Sequence, residues 1–349
     1  MRIFVFEFVT GGGLAGRPVP RSLAREGLAM RTALVEDLAA IGRHDIVVAT
    51  DERFARAAPP RVEVVSVDSG MDSVAGGFQA SEQIDALVDA SDAVWLIAPE
   101  TDRCLERVAS RIERRGTRLL GCGAAAVRIA ADKSRLPRRL AGIGLDHPET
   151  ALIASRTDAR LAARGLGYPV VVKPARGAGC HGVRLARRES ELTDALDAAH
   201  RANGTGPFVM QRFVRGRPAS VSLVADGRRA VPLAVNAQRI TAAAAFAYGG
   251  GSTPFEHPGT AAAADAAVRT CAAFPGLRGY VGVDLVLTDS GPVVIEVNPR
   301  LTLAYLGLRA VFKENVASLA LAACDGRLPA RPVARRRARF TSSGRVACS

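Results

Sequence analysis

The stretch "YVGVDLVLTDSGPVVIEVNPR", residues 280–300, reads as two apolar strands around a turn at Asp289–Gly291. Each strand carries one carboxylate in an otherwise apolar run, Asp284 in the first and Glu296 in the second, with Asn298 two residues beyond Glu296. A step of two keeps Glu296 and Asn298 on one face of their strand, and the hairpin can bring Asp284 alongside. A single carboxylate in such a run could be an edge residue facing water. Two carboxylates and an amide are costly to bury without a shared partner. Three oxygen ligands, with positions left open for phosphate oxygens, suit Mg²⁺, with Mn²⁺ as an alternative.

Upstream, "VVVKPARGAGCHGV" (170–183) delivers Lys173 on a fully apolar strand and follows it with Gly177, Gly179 and Gly182. Such glycines let backbone N–H groups approach phosphate oxygens while the lysine supplies charge, although a plain tight turn has the same composition. "FVMQRFVRGRPASVSL" (208–223) reads as strand, loop and strand. Gln211 and the backbone at Val214 are placed to read a purine edge there, unless this is an ordinary connection. Only three of the 47 basic residues are lysine, namely Lys133, Lys173 and Lys313. Against that arginine bias, a lysine marks a place where a compact point charge serves and a planar guanidinium does not.

The first strand runs into glycines in "RIFVFEFVTGGGLAG" (2–16). Gly11, Gly12 and Gly13 do not follow the G-x-G-x-x-G spacing, and Pro18 and Pro20 stand where a phosphate-binding helix would begin. This loop is read as ligand-facing, with the nucleotide held elsewhere.

A chain of 349 residues suits two or three subdomains, and 48% apolar with 23% charged residues describes a globular protein. No uncharged apolar run approaches a membrane span, Met1 leads directly into a strand, and six scattered cysteines form no metal or disulfide pattern. A cytoplasmic, reduced protein is expected. The net charge of +13 raises nucleic acid as a partner, but seven arginines of it lie in 327–349, leaving +6 on the rest. That tail is expected to be basic and disordered, and nucleic-acid binding through it is the weak alternative.

Strand-like runs at 2–9, 45–50, 61–67, 92–98 and 117–122, separated by helical patterns at 21–41, 79–90 and 100–115, predict a parallel α/β domain over 1–122. An α+β unit over 123–203 should hold a helix containing Lys133 and the Gly-rich hairpin. A strand-dominated unit over 204–326 should hold the carboxylate hairpin, a long loop at 241–260 and a terminal helix at 303–324.

Asp132–Lys133, V-V-V-K-P with its glycines, Q-x-x-V-x-G, G-V-D-L-V and E-V-N-P-R, in this order, resemble the ATP-grasp superfamily over about residues 120–310. The unit before them resembles its pre-ATP-grasp domain. Within the superfamily, "FEFVTGGGL", "GRPASVSLV", "PLAVNAQ" and "EVNPRLTLAYLGLR" are most similar to the tyramine–glutamate ligase group of methanofuran biosynthesis. The resemblance implies an ATP-grasp fold and an ADP-forming carboxylate–amine ligase acting through an acyl phosphate. It implies Lys133 and Lys173 on the ATP phosphates under a loop at 175–182, and Gln211 and Val214 on adenine. It also implies two Mg²⁺ ions on Asp284, Glu296 and Asn298, and Arg300 facing the transferred phosphoryl group. Another ATP-grasp amino-acid or dipeptide ligase, or a biotin-type carboxylase, shares that site, and a homodimer is compatible with it.

Two positions depart from the family pattern. Pro218 stands where many members carry a ribose-binding carboxylate, and Gly282 where several peptide ligases carry an arginine, so Arg239 becomes the candidate oxyanion donor. For a glutamate substrate, Gly11–Gly13 would offer a nest of N–H groups, Arg239 or Arg300 a guanidinium, and Glu7 a partner for an amine. The 241–260 loop, with Phe246, Tyr248 and Phe255, is expected to be a lid or a disordered surface loop. Lys313 is expected at the surface.

Overall fold

The computed structural model describes residues 1–67, 82–203 and 207–349. Five parallel strands, β1 (Arg2–Glu7), β2 (Asp45–Asp51), β3 (Val62–Val67), β4 (Ala93–Ile97) and β5 (Arg118–Leu119), align in the order β3-β2-β1-β4-β5. Their helices are α1 (Arg21–Ile41), α2 (Glu82–Asp89) and α3 (Cys104–Arg114). Of the helix expected at 79–90, residues 79–81 lie outside the described residues. Both faces of this sheet are covered, which is why β1 is apolar throughout: Phe4 and Phe6 enter one core and Ile3 and Val5 the other.

The helix expected through Lys133 is two short ones, α4 (Ala124–Ala130) and α5 (Leu136–Ala141). Between them the Asp132 side chain accepts from the Ser134 N–H at 3.1 Å and hydroxyl at 2.6 Å, and a proline opens α5. That local turn competes with the helix and leaves Lys133 in a connection.

A four-stranded antiparallel sheet follows, in the order β6-β9-β7-β8: β6 (Thr150–Ile153), β7 (Val170–Pro174), β8 (Arg184–Ala186) and β9 (Phe208–Arg212). Helices α6 (Arg156–Leu166) and α7 (Glu189–Asn203) cover it and close a core of its own. β9, expected in the large subdomain, pairs here with β6 and β7.

The third sheet has seven strands in the order β14-β13-β10-β11-β12-β15-β16. They are β10 (Arg217–Asp226), β11 (Ala230–Ala242), β12 (Phe246–Thr253), β13 (Arg278–Thr288), β14 (Gly291–Asn298), β15 (Ala338–Thr341) and β16 (Val346–Cys348). Helix α8 (Thr260–Ala273) packs on it, as do α9 (Ala304–Val311) and α10 (Val316–Cys324). The single helix expected at 303–324 breaks because Phe312 turns extended and the Asn315 side chain caps α10 by accepting from the Ser318 N–H at 2.9 Å.

Two further expectations are corrected. The 241–260 segment is no free lid, since Phe246–Thr253 is a sheet strand. The tail is not a disordered arm, since β15 pairs with β12 and buries Ala338 and Phe340. Among the described residues no helix is long and apolar enough to cross a membrane.

Candidate active site

β13 and β14 pair so that Asp284 lies opposite Glu296 and Gly282 opposite Asn298. The Asp284 carboxylate accepts from the Gln238 amide at 2.9 Å and from the Asn298 amide at 3.1 Å. Glu296 faces the Lys133 ammonium at 3.1 Å. Lys133 in turn donates to the Gly177 carbonyl at 3.0 Å, and its backbone N–H to the Ala175 carbonyl at 2.9 Å, so it is stitched to the Gly-rich loop. Lys173 projects from β7 and is buried.

The electrostatics of this cluster pull its two carboxylates in opposite directions. Burial, then the charge of Glu296, pushes the Asp284 carboxyl up. Burial would raise Glu296 as well, but Lys133 and Lys173 outweigh it and hold that group down. Burial also lowers the Lys173 amine to about 8, with Lys133 adding to the effect and Glu296 opposing it. Among the described residues no three His, Cys, Asp or Glu side chains converge as a metal cluster. The all-oxygen set of Asp284, Glu296 and Asn298 nevertheless fits a hard divalent cation completed by phosphate oxygens, and such a cation would relieve the repulsion that raises Asp284.

Two clefts flank the Gly-rich loop beside this cluster. The first, of about 310 Å³, has Lys133, Lys173, Asp284 and Glu296 at one end and an apolar slot of Val171, Phe213, Ile240, Phe246 and Leu285 at the other. Gln211 and Val214 line the slot, and the Gln211 amide donates to the Thr150 hydroxyl at 3.0 Å, which fixes its orientation. Pro218 lines it too, so no carboxylate is supplied from that position. Gly177 and Gly179 form the wall, and among the described residues the N–H groups of Gly177 to Cys180 have no backbone acceptor. Gly179 at φ +63° and Gly182 at φ +72° turn the loop through left-handed backbone that favours glycine.

The second cleft, of about 400 Å³, lies between the C-terminal edge of the parallel sheet, α1 and Arg300. It shares Ala178, Gly179 and His181 with the first, so one loop separates the two. Arg300 is clamped by Glu100, with Nε and Nη2 donating to the two carboxylate oxygens at 2.8 and 2.9 Å.

Arg239, Glu7 and the Gly11–Gly13 loop are placed differently from expectation. Arg239 is exposed and donates to the Gly249 carbonyl, while its neighbours Gln238 and Ile240 face the first cleft, as strand alternation requires. Glu7 lines the second cleft, but its carboxylate already accepts from the Thr10 N–H at 2.7 Å, the Thr10 hydroxyl at 2.6 Å and the Val9 N–H at 3.1 Å. In the Gly11–Gly13 loop the Gly11 and Gly13 N–H groups donate to the Glu7 and Phe8 carbonyls, which leaves no nest. The position of the absent arginine is tight, since a Cβ on Gly282 would lie 3.0 Å from the Thr302 methyl group.

Sequence reasoning missed Gln238, Glu26, Glu100 and Arg176. Alternation along β11 could have found Gln238. Glu100 lies 200 residues from Arg300 and left no local signal. Arg176, in the Gly-rich loop, donates to Glu106 at 2.8 Å and Asp132 at 3.0 Å and ties the loop to the parallel-sheet domain.

The tyramine–L-glutamate ligase of Methanocaldococcus jannaschii is 34% identical over 102 residues, 29% of this chain and 32% of that protein. Its counterpart in Methanocaldococcus fervens is 27% identical over 218 residues, 62% of each chain. The chain thus spans less than two thirds of either relative. The crystal structure of an ATP-grasp superfamily protein from Archaeoglobus fulgidus matches with a TM-score of 0.70 and 25% identity, covering 98% of this chain and 92% of that one. The pre-ATP-grasp 3 domain matches residues 44–127, which hold most of the parallel sheet. The ATP-grasp domain matches residues 130–304, half of the chain and all of the cluster just described, and the chain belongs to the ATP-grasp family.

Proposed function

We propose that the protein is an ATP- and Mg²⁺-dependent ligase joining a carboxylate to an amine through an acyl phosphate, with L-glutamate as the carboxylate and tyramine or tyrosine as the amine. One observation carries this reading: a cleft with the charged cluster at one end and an apolar slot at the other shares the Gly-rich loop with a second cleft that holds Arg300. The apolar slot suits adenine, and the lysine end suits the triphosphate. Lys133 and Lys173 would contact the phosphates, and the free N–H groups of the loop would add donors. Mg²⁺ on Asp284, Glu296 and Asn298 would neutralise charge on the phosphate oxygens.

In this reading the carboxylate of the second substrate approaches the terminal phosphorus from the Arg300 side. Arg300, held rigid by Glu100, stands where negative charge accumulates on the transferring group and needs no reorganisation to meet it. Attack forms the acyl phosphate and releases ADP. The loop at 176–182 keeps water from that mixed anhydride until the amine adds and phosphate leaves. The glutamate and tyramine assignment rests on the partial likeness to the two Methanocaldococcus enzymes. ADP release that requires both L-glutamate and an amine is expected in a screen of amines. Turnover that needs bicarbonate and ignores glutamate would replace this reading with that of a carboxylase.

A further inference from the structure

The second cleft holds a carboxylate that the ligase reading leaves unused. Glu26 sits on α1 and lines this cleft with Leu23, Met30 and Leu14, across from Arg300. It is half-buried, and among the described residues it makes no hydrogen bond or ion pair. Its neighbour in the cleft, Glu7, is saturated by three donors and is backed by Gly27, where a Cβ would come within 2.7 Å of the carboxylate. Three acidic side chains line this cleft: Glu7 is saturated, Asp102 is exposed to solvent, and Glu26 is half-buried and unpaired, which calls for a cationic partner.

We propose that Glu26 receives the ammonium group of the amine substrate and takes up its proton as the nitrogen attacks. The inference rests on the ligase reading and deepens it. The apolar walls at Leu14, Leu23 and Met30 would hold the body of an apolar or aromatic amine, with its nitrogen turned toward the shared loop. The ammonium passes one proton to the Glu26 carboxylate. The neutral nitrogen then adds to the carbonyl carbon of the acyl phosphate, forming the C–N bond. The bond from that carbon to the bridging oxygen breaks, and its electron pair leaves with phosphate. The second nitrogen proton goes to the departing phosphate, and Glu26 returns its own to water.

The surroundings suit that role. Burial pushes the Glu26 carboxyl up to about 7, against the pull of Arg300. Tyr248 on β12 and Cys180 in the loop are within electrostatic reach, and Asp102, Cys104 and His181 also line the cleft. Burial raises the Tyr248 hydroxyl further still and the Cys180 thiol to about 12, so both stay protonated at neutral pH. Arg17 and Arg107 add positive charge at the rim and Asp102 negative charge. Near pH 7 Glu26 can therefore switch between holding a cation and carrying a proton.

Hydroxylamine separates the two half-reactions, because it is neutral at pH 7 and needs no base to capture an acyl phosphate. With L-glutamate and ATP, Glu26→Gln should form the hydroxamate within twofold of wild type. Its amide formation with tyramine should fall by about 10²–10⁴-fold and lose the limb near pH 7 in kcat/KM for the amine. Glu26→Asp should keep that limb at a reduced rate. Normal amide formation by Glu26→Gln, or equal loss of hydroxamate and amide, would overturn the assignment. A wild type that makes no hydroxamate from any amino acid would overturn the ligase reading, and the assignment with it.

Discussion

The small four-stranded subdomain and the rest of the molecule are built on different principles. The parallel-sheet domain and the seven-stranded sheet share two continuous cores, in which β1 packs with α9, α10 and β10 residues. The small subdomain closes a separate core of Ile153, Val170, Val172, Met210 and their neighbours. What joins it to the body is polar and local. Lys133 and Arg176 tie the Gly-rich loop down, and the β11–β12 turn touches β8 through the Arg184–Ala245 bridge. A body fused through apolar burial beside a flap held by a few polar ties can open at the ties without disturbing either core. The charged cluster lies on that seam, with Lys173 on the flap and Asp284 and Glu296 on the body.

The strongest way to break this contrast is to damage each core in turn. Phe340→Ala empties a site that is 2% exposed in the body and should cost about 3–5 kcal/mol. Met210→Ala empties one that is 0% exposed in the flap and should cost about 2–5 kcal/mol. In hydrogen exchange the first should loosen both β-sheets of the body, and the second only 150–212. Matching exchange patterns would mean one core rather than two.

Next in size, Glu296→Gln removes the carboxylate that faces both lysines across the seam. Turnover should fall by about 10²–10³-fold with the thermal midpoint nearly unchanged. Full activity in this variant would remove the cluster from the chemistry. Arg176→Ala unties the loop from Glu106 and Asp132, a loss of charged hydrogen bonds worth about 1.5–3 kcal/mol. ATP affinity should weaken by about tenfold in calorimetry, and unchanged affinity would mean that the tie does not hold the closed form. The smallest effect is expected from neutralising Arg331, Arg335 and Arg339 together, which are exposed. ATP turnover should stay within twofold, whereas a salt-dependent nucleic-acid affinity lost in this variant would favour the nucleic-acid alternative.

Within the body, the sequence revealed local patterns and concealed contacts between distant segments. Helix α1 begins and ends where its pattern predicts, because Pro20 precedes it and Gly42 terminates it in a left-handed turn. The hairpin of Asp284 and Glu296 was legible for the same reason, since strand periodicity is local. Strand β12 was hidden by Gly249–Gly251, which made 241–260 read as a loop. Gly250, at φ +104°, has the Phe340 carbonyl so close that a Cβ would sit 2.1 Å away, so glycine there serves sheet packing rather than mobility. The roles of Glu7 and Glu26 were exchanged because each depends on contacts between distant segments. Glu7 is consumed by Thr10 once the loop folds, and Glu26 becomes a cleft residue only when Arg300 is brought opposite α1.

The central claim is that a carboxylate attacks ATP across this seam, and oxygen transfer tests it directly. With L-glutamate labelled by ¹⁸O in its carboxylates, an amine and ATP, the released inorganic phosphate should carry one ¹⁸O per turnover. Phosphate released with product but free of ¹⁸O would contradict the acyl phosphate and the account built on it.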